Sequence, residues 1–556
     1  MPVITLSVSD LKSMMGRPVP DDQLRAVLPL IKCDIESWEG DGLRVEVTPD
    51  RPDLLSTEGI ARQLSYWLGI RRGLHSYVVS KPSISVSTEP VGVRPEIVAG
   101  SIRGVGMSDS MVRSIMQLQE AIDFTIGRDR VKTAIGIHDA SKVKPPFFYR
   151  EVGPRDISFV PLGFSREMTI EQILRKHPKG VQYRHIFSRK GSYPIILDRN
   201  DDVLSFPPII NGELTKVSPD TRDIFLDITG FDQTPLNQAL NILLSALEMR
   251  GGSIEAVKVN NRTYPHLKAR PVRIEAASVR RTLGVSLKDR EIRDCLERMG
   301  YGFDPKTSRA LVPPYRADIM HPVDVIEDIA IAYGYNNFVP EMPRLPTVGR
   351  ANPEEVFALK LKELMVGLGF QEAINPTLSN KERQFTSMGI RNPGTVELAN
   401  PVSGEHTICR HWVLPSILEN LSSNIHRRYP QRIFELGECI HPEPGADTRT
   451  RNVKKLAAAT SHAGAGFSEI MSVFNAFRES LPLELDAAER NHPSFIKGRC
   501  VAVSLHGRGI GLLGEIHPSI LQNFSLKMPM AAFEIDAEIL WQAMSHGRPG
   551  RSSLKT

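Results

Sequence analysis

The stretch VPEMPRLPTVGRANP, residues 339 to 353, carries four prolines in fifteen positions. Each proline removes a backbone N–H and fixes φ, so neither a helix interior nor a central strand runs through it. A chain of 556 residues already exceeds the size at which one hydrophobic core stops growing, and this connection shows one place where it divides. On either side the apolar period switches between 2 and about 3.6 within tens of residues. No repeat of fixed length recurs, which excludes solenoids and arrays. The pattern predicts a multidomain chain of mixed α+β and α/β character.

Residues 1–90 read as an N-terminal α+β domain: a β-like RVEV, a Pro-punctuated turn, then a helix with Ile60, Leu64, Trp67 and Leu68 at helical spacing and Asp53 as its N-cap. The segment SKPSISVSTEP reads as a linker joining short strands. From 97 to 262, the amphipathic SMVRSIMQLQEAIDFTIG and the strand-like YPIILDRND and DIFLDITG surround a Pro-rich SFPPIING, which predicts an α+β domain. Residues 268–343 read as strand, short helix, helix and wing, with Ile292, Leu296 and Met299 on one helix face. Residues 350–540 alternate helices with QRIFELGECI, CVAVSLHGRGIGLLGEI and MAAFEIDAEI, predicting a helix-flanked antiparallel sheet. The tail, 541–556, carries too little apolar surface to order itself.

Composition narrows the function classes only coarsely. A net charge of +5 is compatible with a polyanionic partner and does not identify one. The five cysteines include no CxxC pair, which argues against a zinc ribbon or a disulfide framework and for reduced thiols. No segment approaches the roughly 20 apolar residues that span a bilayer, and the N-terminus lacks an export pattern. A cytoplasmic location without membrane contact is expected.

Chemistry is most concentrated in DIMHPVDVIEDIAIAYGY, 318 to 335, where Asp318, Asp324, Glu327 and Asp328 fall within eleven positions. A helix over about 322–334, with Pro322 in its first turn, sets Asp324, Glu327 and Asp328 at i, i+3 and i+4 on one face. Asp318 can fold back over that face. Acids at a helix start are each stabilised by about 0.3–1 kcal/mol through the macrodipole. Solvated decoration, capping and a hard divalent cation held by oxygen ligands all satisfy the spacing.

The segments TPDRPDLLSTEGIAR, LVPPYRADIMHPVDVIEDIAIAYGYNNF and ANPVSGEHTICRHWVLPSILENLSSN resemble the β subunit of phenylalanyl-tRNA synthetases, in its short archaeal form, over roughly residues 1 to 540. The resemblance implies a B3/B4-type editing and tRNA-binding domain at 97–262, a B5-type domain at 268–343 with magnesium on Asp318, Asp324, Glu327 and Asp328, and a class II catalytic-like module at 350–540. Asp328 stands where many members have glutamate. The C-terminal module lacks the family pattern's ATP-clamping arginine: GIGLLGEIHPSIL has the glycines alone, and Arg410, Arg432 and Glu435 read as structural or tRNA-facing. No residue here is expected to catalyse aminoacylation.

An (αβ)₂ tetramer is implied, with ATP and L-phenylalanine bound by an α subunit and tRNA(Phe) shared. Editing would hydrolyse tyrosine wrongly attached to the tRNA. Its candidate residues are Ser205, Asn211 and Gly212 of the Pro-rich loop, and Asp232 with Thr234, where a buried Asp would accept the tyrosine hydroxyl. His138 and Asp139 are further candidates. Against these stands the packing and capping role of Pro-rich turns and of an Asp before a helix. Two other functions fit the residues: a free-standing nucleic-acid-binding scaffold, suggested by the basic helix in RIEAASVRRTLG, and a structural partner without editing.

Overall fold

A computed structural model describes residues 2–187 and 191–546. It divides into two compact units, Met1–Met342 and Pro343–Thr556. Residues 339–352, where the units meet along the chain, hold neither helix nor strand.

The first unit begins with a three-stranded sheet in the order Val3–Ser7, Gly42–Val47, Cys33–Glu39. The predicted helix follows as Thr57–Trp67 and is buried along its whole length. Its cap is Ser56, whose Oγ accepts the Gly59 N–H. Asp53, expected in that role, instead takes a two-pronged ion pair from Arg51 at 2.8 and 3.0 Å. A carboxylate sealed from water needs a cation more than a helix end needs that particular cap.

The segment read as a linker is the strand Val79–Thr88, and it pairs in parallel with both Ser253–Val259 and Phe147–Val152. It therefore belongs to the central sheet rather than to the first 90 residues. Its parallel partners lie far along the chain, so local turn signals could not reveal them. That sheet has ten strands. Residues of Tyr193–Leu197 alternate between two cores: Ile196 joins the large one, while Ile195 and Leu197 join a satellite core with Phe159, Ile170 and Phe206.

Residues 270–333 contain the expected order: strand Arg270–Arg273, helices Ala276–Leu283 and Asp289–Arg298, a hairpin of Gly302–Asp304 and Arg309–Val312, and helix Pro322–Tyr333. Pro322 occupies the first turn, where its missing N–H costs no bond.

The second unit is built on a seven-stranded sheet, antiparallel except where Gln371–Glu372 joins its edge in parallel. Along Thr450–Ser461, Leu456 and Ala458 enter one core with Phe357, Leu361 and Phe474, whereas Ala457 and Ala459 enter the other with Leu414 and Ile417. Period-2 alternation thus buries both faces under helices. The expected disordered tail starts too early: the helix Ala537–His546 continues through 541–546, with the Trp541 ring 5.7 Å from that of Phe357. Residues 547–556 lie outside the described residues.

Candidate functional site

The strand Ile224–Gly230 is buried throughout and runs antiparallel between Glu96–Arg103 and Thr133–Asp139. Leu226 stands beside Gly100, whose missing Cβ leaves room for Leu240 and Leu244 of the helix Gln233–Met249. Asp227 points the other way. It lies beside Gly136, where a Cβ would fall 2.3 Å from Asp227 Oδ1 and 2.6 Å from His138 Nε2. Only glycine permits that approach.

Asp227 reaches a cavity of about 380 Å³. Val112 and Met116 of the helix Asp109–Phe124, Ile135 and Ile137, and the segment from Ser205 to Asn211 supply much of its wall, which is predominantly apolar. His138 Nε2 lies 2.7 Å from Asp227 Oδ1, and its Nδ1 lies 2.8 Å from Thr215 Oγ1. A neutral imidazole protonated on Nε2 satisfies both contacts, donating to Asp227 and accepting from Thr215. Ser205 Oγ donates to the same Oδ1 at 3.5 Å, the outer limit of a hydrogen bond. Both donors thus meet on one oxygen of a group that has two.

In a serine-hydrolase triad the imidazole stands between hydroxyl and carboxylate. Here the carboxylate stands between the imidazole and Ser205, so the cluster does not generate a serine nucleophile. It provides a buried acceptor within an apolar wall, which suits a ring bearing a hydrogen-bond donor.

One buried cation, Arg94, lies near that acceptor without bonding to it. Arg94 donates through Nε to Thr229 Oγ1 at 2.8 Å and through Nη2 to Thr229 O at 2.7 Å. Burial pulls its guanidinium down to about 10, with Tyr149, Asp123 and Asp227 acting in the opposite direction. Asp123 lies nearby, pushed up to about 7 by burial against the pull of Arg130 and Arg94.

Of the residues expected at an editing site, Ser205 and Asn211 line the cavity. Gly212 follows them, its N–H donating to Leu204 O at 2.8 Å, with Val203 O 2.6 Å from where a Cβ would be. Asp232 and Thr234 do not reach it. Asp232 is exposed and caps Gln233–Met249, accepting the Thr234 N–H at 2.9 Å, so its short side chain is committed to the helix end. Asp139 caps a turn, accepting from the Ser141 N–H and from Thr221 Oγ1. His138 sits beneath the cavity as the partner of Asp227. Asp227 and Thr215 were missed. The available signal was an acid in the middle of the apolar run IFLDITG, which burial obliges to find a partner.

The acidic cluster distributes differently from its spacing. Asp318 takes two bonds from Arg316, at 2.8 and 2.6 Å. The same guanidinium lies 2.7 Å from Asp328 Oδ2, which also accepts the Tyr301 hydroxyl at 2.5 Å. Burial alone would raise the Asp318 carboxyl, but Arg316 and, behind it, Arg51 hold it down to about 2. Asp324 accepts the Met320 and His321 N–H groups, each at 2.7 Å. Exposed Glu327 lies 3.1 Å from Lys32. The four acids therefore occupy three separate environments, each with its own positive or N–H partner.

Among the described residues no three acids, histidines or cysteines gather closely enough to share a metal ion. Asp318, Asp324, Glu327 and Asp328 thus do not converge as direct ligands of one ion. Helical spacing brought three of the acids to one face, but Arg316 draws Asp328 inward and leaves Glu327 outside.

In the second unit, Arg410 is buried and pairs with Glu435 at 2.7 Å, while Arg432 pairs with Glu469 at 2.7 Å.

Comparison with known proteins places these features in one class, the subunits of aminoacyl-tRNA synthetases. Residues 94–245 match a B3/4 domain, 272–335 a tRNA synthetase B5 domain, and 339–537 a phenylalanyl tRNA synthetase beta chain CLM domain. The phenylalanine–tRNA ligase beta subunit of Archaeoglobus fulgidus is 43% identical over 96% of this chain and 98% of its own. That of Methanocaldococcus jannaschii is 40% identical over 97% of this chain and 100% of its own. A crystal structure of an N-terminal fragment of the phenylalanyl-tRNA synthetase β subunit from Pyrococcus horikoshii, 37% identical, superposes with a TM-score of 0.58 over 60% of this chain and all of the fragment. The chain belongs to the phenylalanine–tRNA ligase β-subunit family.

Proposed function

We propose that this chain is the non-aminoacylating half of a cytoplasmic (αβ)₂ phenylalanine–tRNA ligase and that its cavity hydrolyses tyrosine wrongly attached to tRNA(Phe). The α subunit binds ATP and L-phenylalanine and performs activation and transfer. The second unit serves as a class II-like scaffold, a reading supported by its helix-flanked antiparallel sheet and by arginines committed to Glu435 and Glu469. Among the described residues no helix is long and apolar enough to cross a membrane.

One observation carries the editing assignment: a single buried carboxylate, Asp227, reaches into an apolar-walled cavity of about 380 Å³. Phenylalanine and tyrosine differ by one hydroxyl, and an apolar synthetic pocket rejects an added hydroxyl only about 100-fold. A second pocket built to bond that hydroxyl discriminates by about 10⁴–10⁵, because the ligand lacking it leaves a buried polar group unpaired. Asp227 accepts the phenol of a tyrosyl ester. A phenylalanyl ester would strand the same carboxylate and is spared. The role expected of Asp232 thus passes to Asp227.

Magnesium at the acidic cluster has no step in this function, because those acids are held by Arg316, Lys32 and backbone N–H groups. Magnesium would be carried with the nucleotide phosphates on the α subunit, the usual way this ion is bound.

The test is the tetramer carrying Asp227→Ala. Hydrolysis of Tyr-tRNA should fall about 100-fold or more, with phenylalanine charging unchanged. Full hydrolysis by the variant would remove Asp227 from editing. Failure of the chain to co-purify with an α subunit would instead favour the free-standing scaffold.

A further inference from the structure

Arg128, Asp129 and Arg130 form a run of three consecutive non-glycine residues with positive φ, at 47°, 53° and 65°. L-residues visit this region singly and at a cost, so a run of three needs a compensating reason. The turn is fully integrated: Gly127 N–H donates to Ile122 O, Arg130 N–H to Asp123 O, Val131 N–H to Arg128 O and Lys132 N–H to Gly127 O. Gly127 itself permits the entry, since a Cβ there would lie 2.3 Å from Asp123 O.

The turn delivers one side chain to the cavity. Arg130 Nη1 donates to Pro208 O at 3.2 Å and to Ile209 O at 3.1 Å. Its Nε lies 3.4 Å from Asp123 Oδ2, and its guanidinium stacks 4.7 Å from the centre of the Tyr183 ring. The Tyr183 hydroxyl in turn donates to Asp129 at 3.2 Å. Arg94 fixes the turn from below through the Arg130 and Val131 carbonyls. Pro208 and Ile209 belong to the cavity wall that also bears Ser205 and Asn211, and Arg130 is part of the same lining.

We propose that this left-handed turn is a latch and that Arg130 is the positioning residue that fixes the width of the cavity by holding the Pro208–Ile209 wall against the helix Asp109–Phe124. The inference rests on the editing assignment for its substrate, a tyrosyl ester of tRNA, but its mechanical content stands independently. With the wall held, the phenol is kept in reach of Asp227. Released, the wall leaves Asp227 in place but lets the ring bind in more than one pose. Binding and discrimination suffer before the chemical step does.

Two measurements on the assembled tetramer test the latch. In Arg130→Met, amide hydrogen exchange across residues 203–212 should quicken at least tenfold, and KM for Tyr-tRNA should rise at least threefold with kcat within a factor of two. Arg130→Lys keeps one charge, but a single ammonium cannot hold the Pro208 and Ile209 carbonyls and at the same time face Asp123 as Nη1 and Nε do. Its exchange should quicken at least threefold, and it decides the question if the Met variant does not assemble. Exchange indistinguishable from wild type overturns the latch. Quickened exchange with unchanged KM, or with kcat lost and KM unchanged, overturns the positioning role. A wild-type tetramer that does not hydrolyse Tyr-tRNA overturns the editing assignment, while exchange alone still decides the latch.

Discussion

The acidic cluster and the cavity carboxylate face the same problem with opposite outcomes. Four acids stand within eleven residues at one place, and a single acid lies in an apolar strand at the other. In the cluster, Asp318 and Asp328 share Arg316, while Asp324 and Glu327 are engaged by N–H groups and by Lys32. At Asp227, His138 and Ser205 meet on one oxygen of a side chain that still borders a cavity. Charge density along a sequence therefore does not show which acids keep acceptor capacity. What matters is whether burial leaves acceptor capacity directed at a space another molecule can enter.

The sharpest way to break this contrast is Arg316→Met. If Arg316 neutralises the cluster, its loss strands two carboxylates and should cost about 3–5 kcal/mol, equally in EDTA and in excess magnesium. Denaturant unfolding measures it, and a cost that magnesium repairs would restore the metal site.

Asp123 extends the comparison to a carboxylate with weaker compensation. Its folded pKa is raised from 3.8 to about 7, so the folded chain holds that proton more tightly than the unfolded one. The contribution to stability is fully present below about pH 4 and is lost as pH rises through about 7. Asp123→Asn mimics the protonated state. It should gain on wild type between pH 5 and pH 8, by at most about 4 kcal/mol. Parallel melting curves showing no pH-dependent difference would count against a buried acid whose burial outweighs the pull of Arg130 and Arg94.

A smaller expected effect belongs to Asp227→Asn, which keeps shape and removes charge. An amide that turns its oxygen to the cavity still accepts from a phenol, so Tyr-tRNA hydrolysis should fall about 10-fold, or about 1.4 kcal/mol, less than in the alanine variant. Equal losses in the two variants would mean that the negative charge, not acceptor geometry, is what the cavity uses.

The smallest effect is expected at Glu327. Its side chain is 49% exposed beside Lys32, so Glu327→Gln should change stability by about 0–1 kcal/mol and less at high salt. A larger, magnesium-dependent loss at this position would separate Glu327 from the other three acids and give it a ligand of its own.

Legibility followed the range of the interactions. The helix Pro322–Tyr333 could be read from its first-turn proline and apolar period, and the helix–hairpin order of 270–333 from local alternation. The Pro-rich loop borders the cavity through Ser205 and Asn211, and its consecutive prolines made a constrained turn legible. Asp232 was a local feature with a local explanation, and the cap accounts for it. Asp227, which borders the cavity, is held by His138, 89 positions away. No window of helical or strand period contains both.

By itself the sequence determined the modular order, the period of each element, the division at the Pro-rich connection and the residue types available for chemistry. These follow from backbone sterics and from which side chains avoid water, and both act over a few residues. Tertiary structure alone decided which acids were neutralised and that Asp227 borders a cavity while buried. Coulomb energy and desolvation depend on distance in space and on burial, and neither quantity exists until strands and helices distant in the chain have packed.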